Sequence, residues 1–190
     1  MGNYKSKLGI TDEVVIEHYN GKTGKITKHK CNSRLWHRFL VKLGLATNCI
    51  TNYGTGGIFD IVSLVSGIAA PSPYVDIGIG TGTSNDAATD TKMQTGIILV
   101  AVTPTRTNST GSLGDQIQWT HVFSHANDAG LTGTNAINEV AIENVTNVTT
   151  AGKMLLHIAG STNYGPVDSC NWDQGDTLTI IISCKFQQSS

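Results

Sequence analysis

The chain has 190 residues and a net charge of −1, with 14% charged and 39% apolar residues. The length suffices for one hydrophobic core, and the apolar content excludes a disordered chain. The even charge balance gives no basic surface for nucleic acid, and no apolar run is long enough for a membrane-spanning helix. With 21 glycines and abundant Thr and Asn, the composition predicts a β-rich protein whose weakly charged surface favours assembly.

The N-terminal part of the chain predicts a β-hairpin followed by a helix. Residues 13–19 and 25–31 are strand-like runs on either side of a Gly-containing turn. From residue 33 to 43, leucine and phenylalanine recur at the 3.6-residue spacing of an amphipathic helix, which Gly44 can end. The run 58–70 is compatible with either a helix or a strand.

Strand-length apolar runs, separated by clusters of Gly, Asn, Thr and Pro, dominate the chain after residue 71. The six runs are 74–80, 96–103, 115–124, 137–144, 153–160 and 176–186. The last run alternates apolar and polar residues, as a strand does when one face is buried. Strands without intervening helices predict an antiparallel sandwich or barrel, and we expect a jelly-roll-like β-sandwich. The predicted organisation is an N-terminal hairpin and helix region, 1–70, and a β-sandwich domain, 71–190.

Residues 76–91, DIGIGTGTSNDAATDT, have the alternate glycines of a phosphate-binding loop at Gly78, Gly80 and Gly82. Such a loop must run directly into a helix or end in Gly-Lys-Ser/Thr. Turn-forming residues follow the glycines here instead. The stretch therefore predicts a strand whose glycines allow close backbone packing, followed by a loop built on Asx turns.

The sequence does not predict a metal or a cofactor. Asp86 and Asp90 are carboxylates four residues apart in a loop, but the ligand order of an EF-hand is missing. His121 and His125 are also four apart, yet a strand would separate them by ~13 Å, too far for one ion. The four cysteines lack CxxC spacing.

Catalytic constellations are also missing, so we expect that the protein is not an enzyme. Neither a GxSxG nor an HExxH motif occurs. Glu139 and Glu143 share one face of a predicted strand, but their separation exceeds the ~5–9 Å of a glycosidase carboxylate pair. His157 is expected to be a half-buried histidine with its hydrogen bonds satisfied beside a neighbouring strand.

Three segments, in order along the chain, resemble a recurring part of tailed-phage virion proteins. They are YVDIGIGTGTSNDAATDTKMQTGI, INEVAIENVTNVTTAGKMLLHIAG and WDQGDTLTIIISCKF. The first segment is similar to the family's strand that ends in Gly-Thr-Gly-Thr and the loop after it. The second is similar to the family's I-x-E-x-G strand, which precedes a turn and a G-x-[ML]-L-x-R strand. The third is similar to the family's closing strand. The resemblance covers residues 73–186. Ala141 and His157 stand where the family usually has Gly and Arg.

The resemblance implies a virion structural protein on the tail, the neck or the capsid surface. It would form a symmetric homo-oligomer and bind other virion proteins. The resemblance does not cover region 1–70, and we expect this region, with its basic hairpin and its helix at 33–43, to be the anchor. The resemblance gives Glu139 a structural role, and a carboxylate at the start of a strand can accept backbone N–H groups of an adjacent loop. We expect the protein to bind no cofactor and no metal, and to contact neither a membrane nor nucleic acid directly.

Aromatic and large apolar side chains are the candidate interface residues, because such side chains often dominate interface energies. The candidates are Trp36, Phe39, Leu40, Tyr164 and Trp172. The first three could equally belong to the core of the chain. The alternative function is a carbohydrate- or host-surface-binding β-sandwich module of a tail fibre or capsid decoration. Its aromatic platform for a glycan would be built from Tyr53, Tyr74, Tyr164 and Trp172.

Overall fold

The computed structural model describes residues 7–32, 49–50, 74–84, 90–107, 116–144, 147–149, 152, 154–159 and 169–189. Within them the chain is mainly β, as expected, with a 3-10 turn at Trp172–Gln174. In chain order the strands are β1 (Lys7–Tyr19), β2 (Ile26–Asn32), β3 (Cys49–Ile50), β4 (Asp76–Gly80), β5 (Gly96–Ala101), β6 (Thr105–Thr107), β7 (Gln116–Ser124), β8 (Thr134–Asn135), β9 (Glu139–Glu143), β10 (Met154–Ala159), β11 (Cys170–Asn171) and β12 (Thr177–Ser189).

The first sheet, sheet A, has the order β2-β1-β12-β7-β6, and every neighbouring pair is antiparallel. The predicted hairpin is confirmed as β1 and β2, and a hydrogen bond of 2.9 Å from Asn20 N to Lys25 O closes its turn. β1 also pairs with β12, in a register that runs from Lys7–Ser189 to Tyr19–Thr177. Strands from both sides of residue 71 therefore lie in one sheet, so the predicted division of the chain does not separate the sheets.

The alternation predicted for residues 176–186 is confirmed in β12. Leu178, Ile180 and Ile182 are 0% exposed and Cys184 is 3% exposed, all on the face that points into the core. Of the intervening residues, Thr179 and Ile181 are partly exposed, whereas Ser183 is 6% exposed. Because successive side chains of a strand point to opposite faces, β12 has one buried face and one face nearer to solvent.

The second sheet, sheet B, has the order β3-β10-β9-β4-β5 and is also antiparallel. Every residue of β4, β9 and β10 is buried. Both faces of the centre of sheet B are therefore covered. The sequence predicts that a strand of a sandwich buries one face only. β12 follows this prediction, whereas β4, β9 and β10 are buried on both faces.

Both sheets contribute to one cluster of buried apolar side chains. Trp119 and Ile180 of sheet A belong to it together with Ile77 and Ile142 of sheet B. Trp119 also donates its indole N–H to the backbone carbonyl of Tyr74 at 2.7 Å, just before β4. Burying a side chain of this size contributes roughly 1.5–3 kcal/mol. The two sheets therefore pack against each other through this shared core.

The six strands predicted after residue 71 are confirmed as β4, β5, β7, β9, β10 and β12, with bounds that differ by a few residues. The small sheet formed by β8 and β11 was not predicted, because strands of two residues carry no recognisable period. The predicted helix over 33–43 and the run 58–70 lie outside the described residues. In the part of the chain that is described, no helix has the length and apolarity to cross a membrane.

Candidate functional site

Five titratable side chains gather on the face of sheet B that points away from the shared core. This acid–histidine cluster consists of Asp76, Asp90, Glu139, Glu143 and His157. β9 points Val140 and Ile142 into the core. The alternation of side chains along the strand therefore turns its two glutamates to the other face.

The register of the neighbouring strands completes the cluster. Asp76 on β4 lies directly opposite Glu143 on β9. His157 on β10 lies directly opposite Ala141, between the two glutamates of β9. Asp90 is brought in by the segment 90–95, which leads into β5. Residues that are up to 81 positions apart in the sequence thus meet because three strands pair in one register.

Segment 90–95 lies over this face of sheet B and covers it. Met93 is 1% exposed and packs against Ala141 in a second, small apolar cluster. Near the start of the segment, Gly152 donates its backbone N–H to the carbonyl of Thr91 at 2.8 Å. The charged groups beneath the segment are consequently inside the protein, although their face is not the one that meets sheet A.

Glu139 connects sheet B to the segment that covers it. Its Oε1 accepts the backbone N–H of Gln94 at 2.5 Å, and its Oε2 accepts those of Thr95 at 3.1 Å and Gly82 at 3.3 Å. The prediction that this carboxylate accepts loop N–H groups is confirmed. Burial disfavours its charged form, but the hydrogen bonds from His157 and from the backbone outweigh burial and lower the pKa of Glu139.

The alternate glycines make room for this carboxylate and for Met93. A Cβ atom on Gly80 would lie 2.5 Å from Oε2 of Glu139, and one on Gly82 would lie 2.7 Å from the same oxygen. A Cβ atom on Gly78 would overlap the end of the Met93 side chain. The close packing predicted for this stretch is confirmed, and what packs closely is the acid and its cover.

His157 bridges the sheet and segment 90–95. Its Nε2 lies 2.8 Å from Oε1 of Glu139 and its Nδ1 lies 2.7 Å from Oδ2 of Asp90. A carboxylate accepts hydrogen bonds, so both ring nitrogens must donate, which requires the imidazolium form. Burial lowers the pKa of His157, but the two carboxylates more than compensate and raise it. The expectation of satisfied hydrogen bonds is confirmed. The histidine is fully rather than half buried, because segment 90–95 covers it.

The cluster holds segment 90–95 against sheet B through hydrogen bonds. Glu139 and His157 are each 0% exposed, and their hydrogen bonds go to the backbone and side chains of segments of this chain. Among the described residues, no group of three or more His, Cys, Asp or Glu side chains is arranged to hold a metal ion. What the described cluster does chemically is to hold charges and protons in fixed positions beneath segment 90–95.

A second buried histidine–carboxylate pair fastens the hairpin of sheet A. Nε2 of His18 lies 2.9 Å from Oδ2 of Asp176, and the two residues are 2% and 1% exposed. Asp176 also accepts the N–H groups of Gly21 at 2.8 Å and Asn171 at 2.9 Å. Burial opposes ionisation, but these hydrogen bonds and His18 lower the pKa of Asp176. The turn of the hairpin is thereby held against the turn that precedes β12.

Trp172, a predicted interface residue, lies in the core of this chain. Trp172 is 1% exposed, belongs to the shared core, and donates its indole N–H to Oδ1 of Asn135 at 2.8 Å. Tyr74, a predicted member of the aromatic platform, is 0% exposed. Both aromatics fill the core of this chain because a 3-10 turn and a strand start direct them inward. The other candidates, Trp36, Phe39, Leu40, Tyr53 and Tyr164, lie outside the described residues.

The two histidines of HVFSH have separate partners. His121 lies 3.1 Å from Oδ2 of Asp128, and Nδ1 of His125 lies 2.7 Å from the carbonyl oxygen of Leu131. His121 is in β7 and His125 follows its end. Each histidine helps to shape the turn that leaves β7.

The sequence did not predict Asp76 or Asp90 as members of the cluster. One signal was available, since Asp76 in β4 and Glu139 and Glu143 in β9 share the alternate positions of their strands with glycine and alanine, while the positions between them are apolar. That pattern is typical of a solvent-facing strand. Its burial depends on segment 90–95, whose path has no local signature.

Comparison of the chain with protein-family models, with curated proteins and with solved structures finds no match.

Proposed function

We propose that the chain is a structural subunit of a tailed-virus particle. In this proposal it is a jelly-roll-like β-sandwich that forms a symmetric homo-oligomer on the tail, the neck or the capsid surface. Its partners are other virion proteins, and its role lies in protein–protein interfaces rather than in catalysis. The region 1–70 is the proposed anchor, with Trp36, Phe39 and Leu40 as contact residues.

One contact between two of the resembling motifs carries the proposal. The Gly-Thr-Gly-Thr motif follows β4, and the I-x-E motif enters β9. Gly82 of the first motif donates its backbone N–H to Glu139 of the second at 3.3 Å, across 57 positions of sequence. Two motifs that stand far apart in the sequence thus form one structural unit, which supports treating them as a joint signature rather than as chance matches.

The path of the chain supports the sandwich part of the proposal. The chain runs from sheet A to sheet B after β2, returns to sheet A after β5, goes back to sheet B before β9, and ends in sheet A with β12. The sheets share one apolar core. Repeated crossing between two antiparallel sheets is typical of Greek-key and jelly-roll sandwiches.

Sheet A offers an apolar contact at the turn end of the hairpin. Ile26 is 65% exposed and Tyr19 is 39% exposed, and the two residues lie directly opposite each other on β2 and β1. Single exposed apolar residues are common on protein surfaces. This adjacent pair belongs to the region proposed as the anchor, so it is a specific candidate for a subunit contact.

The proposal is tested with the full-length chain and with virus particles. Sedimentation velocity over a wide concentration range should show a closed oligomer, and electron microscopy of particles should show density for this chain. A protein that is monomeric at every concentration and absent from purified particles contradicts the proposal.

The glycan-binding alternative loses two of its four platform aromatics, because Tyr74 and Trp172 are buried. Two results together would favour this alternative over the structural subunit: the full chain binds to a glycan array, and purified virus particles do not contain the chain.

A further inference from the structure

Asp76 and Glu143 form a pair of carboxyl groups within the acid–histidine cluster. Asp76 begins β4, Glu143 ends β9, and the two residues are directly opposed in the register of these strands. Directly opposed residues of antiparallel strands have Cβ atoms about 4.5–5.5 Å apart, so their side chains are neighbours on one face. Asp76 is 3% exposed and Glu143 is 0% exposed.

Glu143 has an unsatisfied oxygen in this buried position. Its Oε1 accepts the backbone N–H of Met93 at 3.2 Å, whereas its buried Oε2 has no hydrogen-bond partner among the described residues. A buried carboxylate oxygen without a donor costs free energy, and buried polar groups in folded proteins are almost always paired. A second acid directly opposite makes a fully ionised pair less favourable still.

The other groups that face Glu143 do not neutralise it. From β10, His157 acts on Glu143 only at a distance, because both of its nitrogens are hydrogen bonded to Glu139 and Asp90. From β9, Glu139 adds negative charge, and from β4, Asp76 does the same. Segment 90–95 contributes the single N–H of Met93.

We propose that Asp76 and Glu143 bind one shared proton, and that this proton latches segment 90–95 onto sheet B. In the latched state the O–H group on Oε2 of Glu143 donates to the carboxylate of Asp76, while Oε1 keeps the N–H of Met93. One proton then satisfies the orphan oxygen and removes the repulsion between the acids. The proposal does not depend on the function of the chain as a virion subunit.

The acid strengths of the pair agree with this geometry. Burial, with further contributions from Glu139 and Asp76, raises the pKa of Glu143 to about 7, against the opposing effects of Met93 and His157. Burial also raises the pKa of Asp76. A carboxyl whose pKa is raised in the folded state stabilises that state fully below its ordinary pKa of 4.5, and the stabilisation is lost as the pH rises from there to about 7.

The consequence is a latch that loosens as the pH rises towards neutrality. Ionisation of Glu143 places a second negative charge beside Asp76, and the buried site can relieve it by admitting water. The element that must move is segment 90–95, since its residue Met93 packs against Ala141 of β9 and donates its backbone N–H to Glu143. Above the ordinary pKa of histidine, His157 also loses stabilising charge, so both groups act in the same direction.

The test is the pH dependence of hydrogen exchange at the Met93 amide in the intact chain, corrected for the intrinsic exchange rate. We expect protection to fall by up to about tenfold per pH unit between about pH 5 and 7, and His157 to extend the fall above that interval. The variant Glu143→Gln carries a permanent N–H donor in place of the shared proton, so its protection should be flat over this interval. Glu17→Gln, at a partly exposed position of sheet A, is the control and should keep the wild-type slope.

A direct readout does not depend on the variant being folded. Nuclear magnetic resonance of the side-chain carboxyl carbon of Glu143 in the wild-type protein should titrate with a midpoint near 7, well above an ordinary glutamate. The proposal is overturned if Glu143 titrates near its ordinary pKa. It is equally overturned if Glu143→Gln folds and retains the wild-type pH dependence at Met93.

Discussion

The faces of sheets A and B that point away from the shared core have the same strand geometry but different surroundings. On sheet A, Glu17 of β1 pairs with Lys28 of β2, and these side chains are 35% and 57% exposed. On sheet B, Glu139 is 0% exposed and binds three backbone N–H groups and a histidine. Both glutamates belong to antiparallel strands and lie on the strand face opposite to the residues that point into the core. What distinguishes them is that segment 90–95 folds over sheet B.

The difference changes the energetics of the two glutamates. An exposed ion pair gains little because water screens its charges and its long side chains must be ordered. A buried charge with several partners is costly to disrupt, since removing one group leaves the others without compensation. The same residue type should therefore be nearly dispensable on sheet A and essential on sheet B.

The largest effect is expected from matched truncations of these two glutamates. Glu139→Ala removes the acceptor for three backbone N–H groups and leaves His157 with Asp90 alone, so we expect the free energy of unfolding to fall by about 3–5 kcal/mol. Glu17→Ala removes an exposed pair and should cost less than about 1 kcal/mol. Urea unfolding of both variants at neutral pH measures the difference. Equal losses would show that segment 90–95 does not isolate its face from water.

A second pair of variants tests the close approach between the glycines and Glu139. Gly80→Ala would place a Cβ atom 2.5 Å from Oε2 of Glu139, so we expect a loss of about 1–3 kcal/mol from overpacking. A Cβ atom on Gly130 would have nothing within 4 Å, so Gly130→Ala should stay within about 0.5 kcal/mol of the wild type. Thermal unfolding distinguishes them. The same Cβ atom would lie 2.6 Å from the backbone oxygen of Thr95, so a neutral Gly80→Ala would mean that both the carboxylate and this backbone can shift without losing their hydrogen bonds.

These comparisons also indicate what could be predicted from the sequence. The strands of the shared core could be predicted, because the alternation of β12 and the apolar runs of β4 and β9 are local patterns. The role of Glu139 was also accessible, because an acid at a strand start beside a glycine-rich loop has few other partners. Both inferences depend on residues that are close in sequence or belong to a resembling motif.

The burial of the acid–histidine cluster could not be predicted in the same way. Asp76, Glu143 and His157 meet only through strand register, and Asp90 joins them only through the fold of a loop. Trp172 is a second example, since the sequence suggests an aromatic interface candidate in a polar stretch and the side chain lies in the core of the chain. In both cases the deciding contacts are long-range, and local periodicity carries no information about them.

We expect the pair of His18 and Asp176 to have an effect between those of Glu17 and Glu139. The pair is buried, but it joins only a turn to a hairpin. Asp176→Asn weakens the acceptor for Gly21 and Asn171, and we expect a loss of about 1–2 kcal/mol near neutral pH. The pKa of Asp176 is lowered, so its stabilisation is present above its ordinary pKa of 3.8 and is lost as the pH falls below that value. The difference between wild type and variant should therefore shrink in acid. Urea unfolding at several pH values measures it, and a difference that does not depend on pH would contradict the role of the charge.

The smallest effect on stability is expected on the exposed side of sheet A, where the comparison concerns assembly instead. Ile26 is 65% exposed and buries little surface in the chain alone, so Ile26→Ser should change the free energy of unfolding by less than about 0.5 kcal/mol. If the hairpin belongs to a subunit interface, the same change should weaken self-association in sedimentation experiments, because a buried isoleucine contributes apolar contact that serine cannot replace. Thr132→Ser, in the exposed turn before β8, is the matched control and should leave both quantities unchanged. An Ile26→Ser variant that associates as the wild type does would remove the hairpin from the proposed interface.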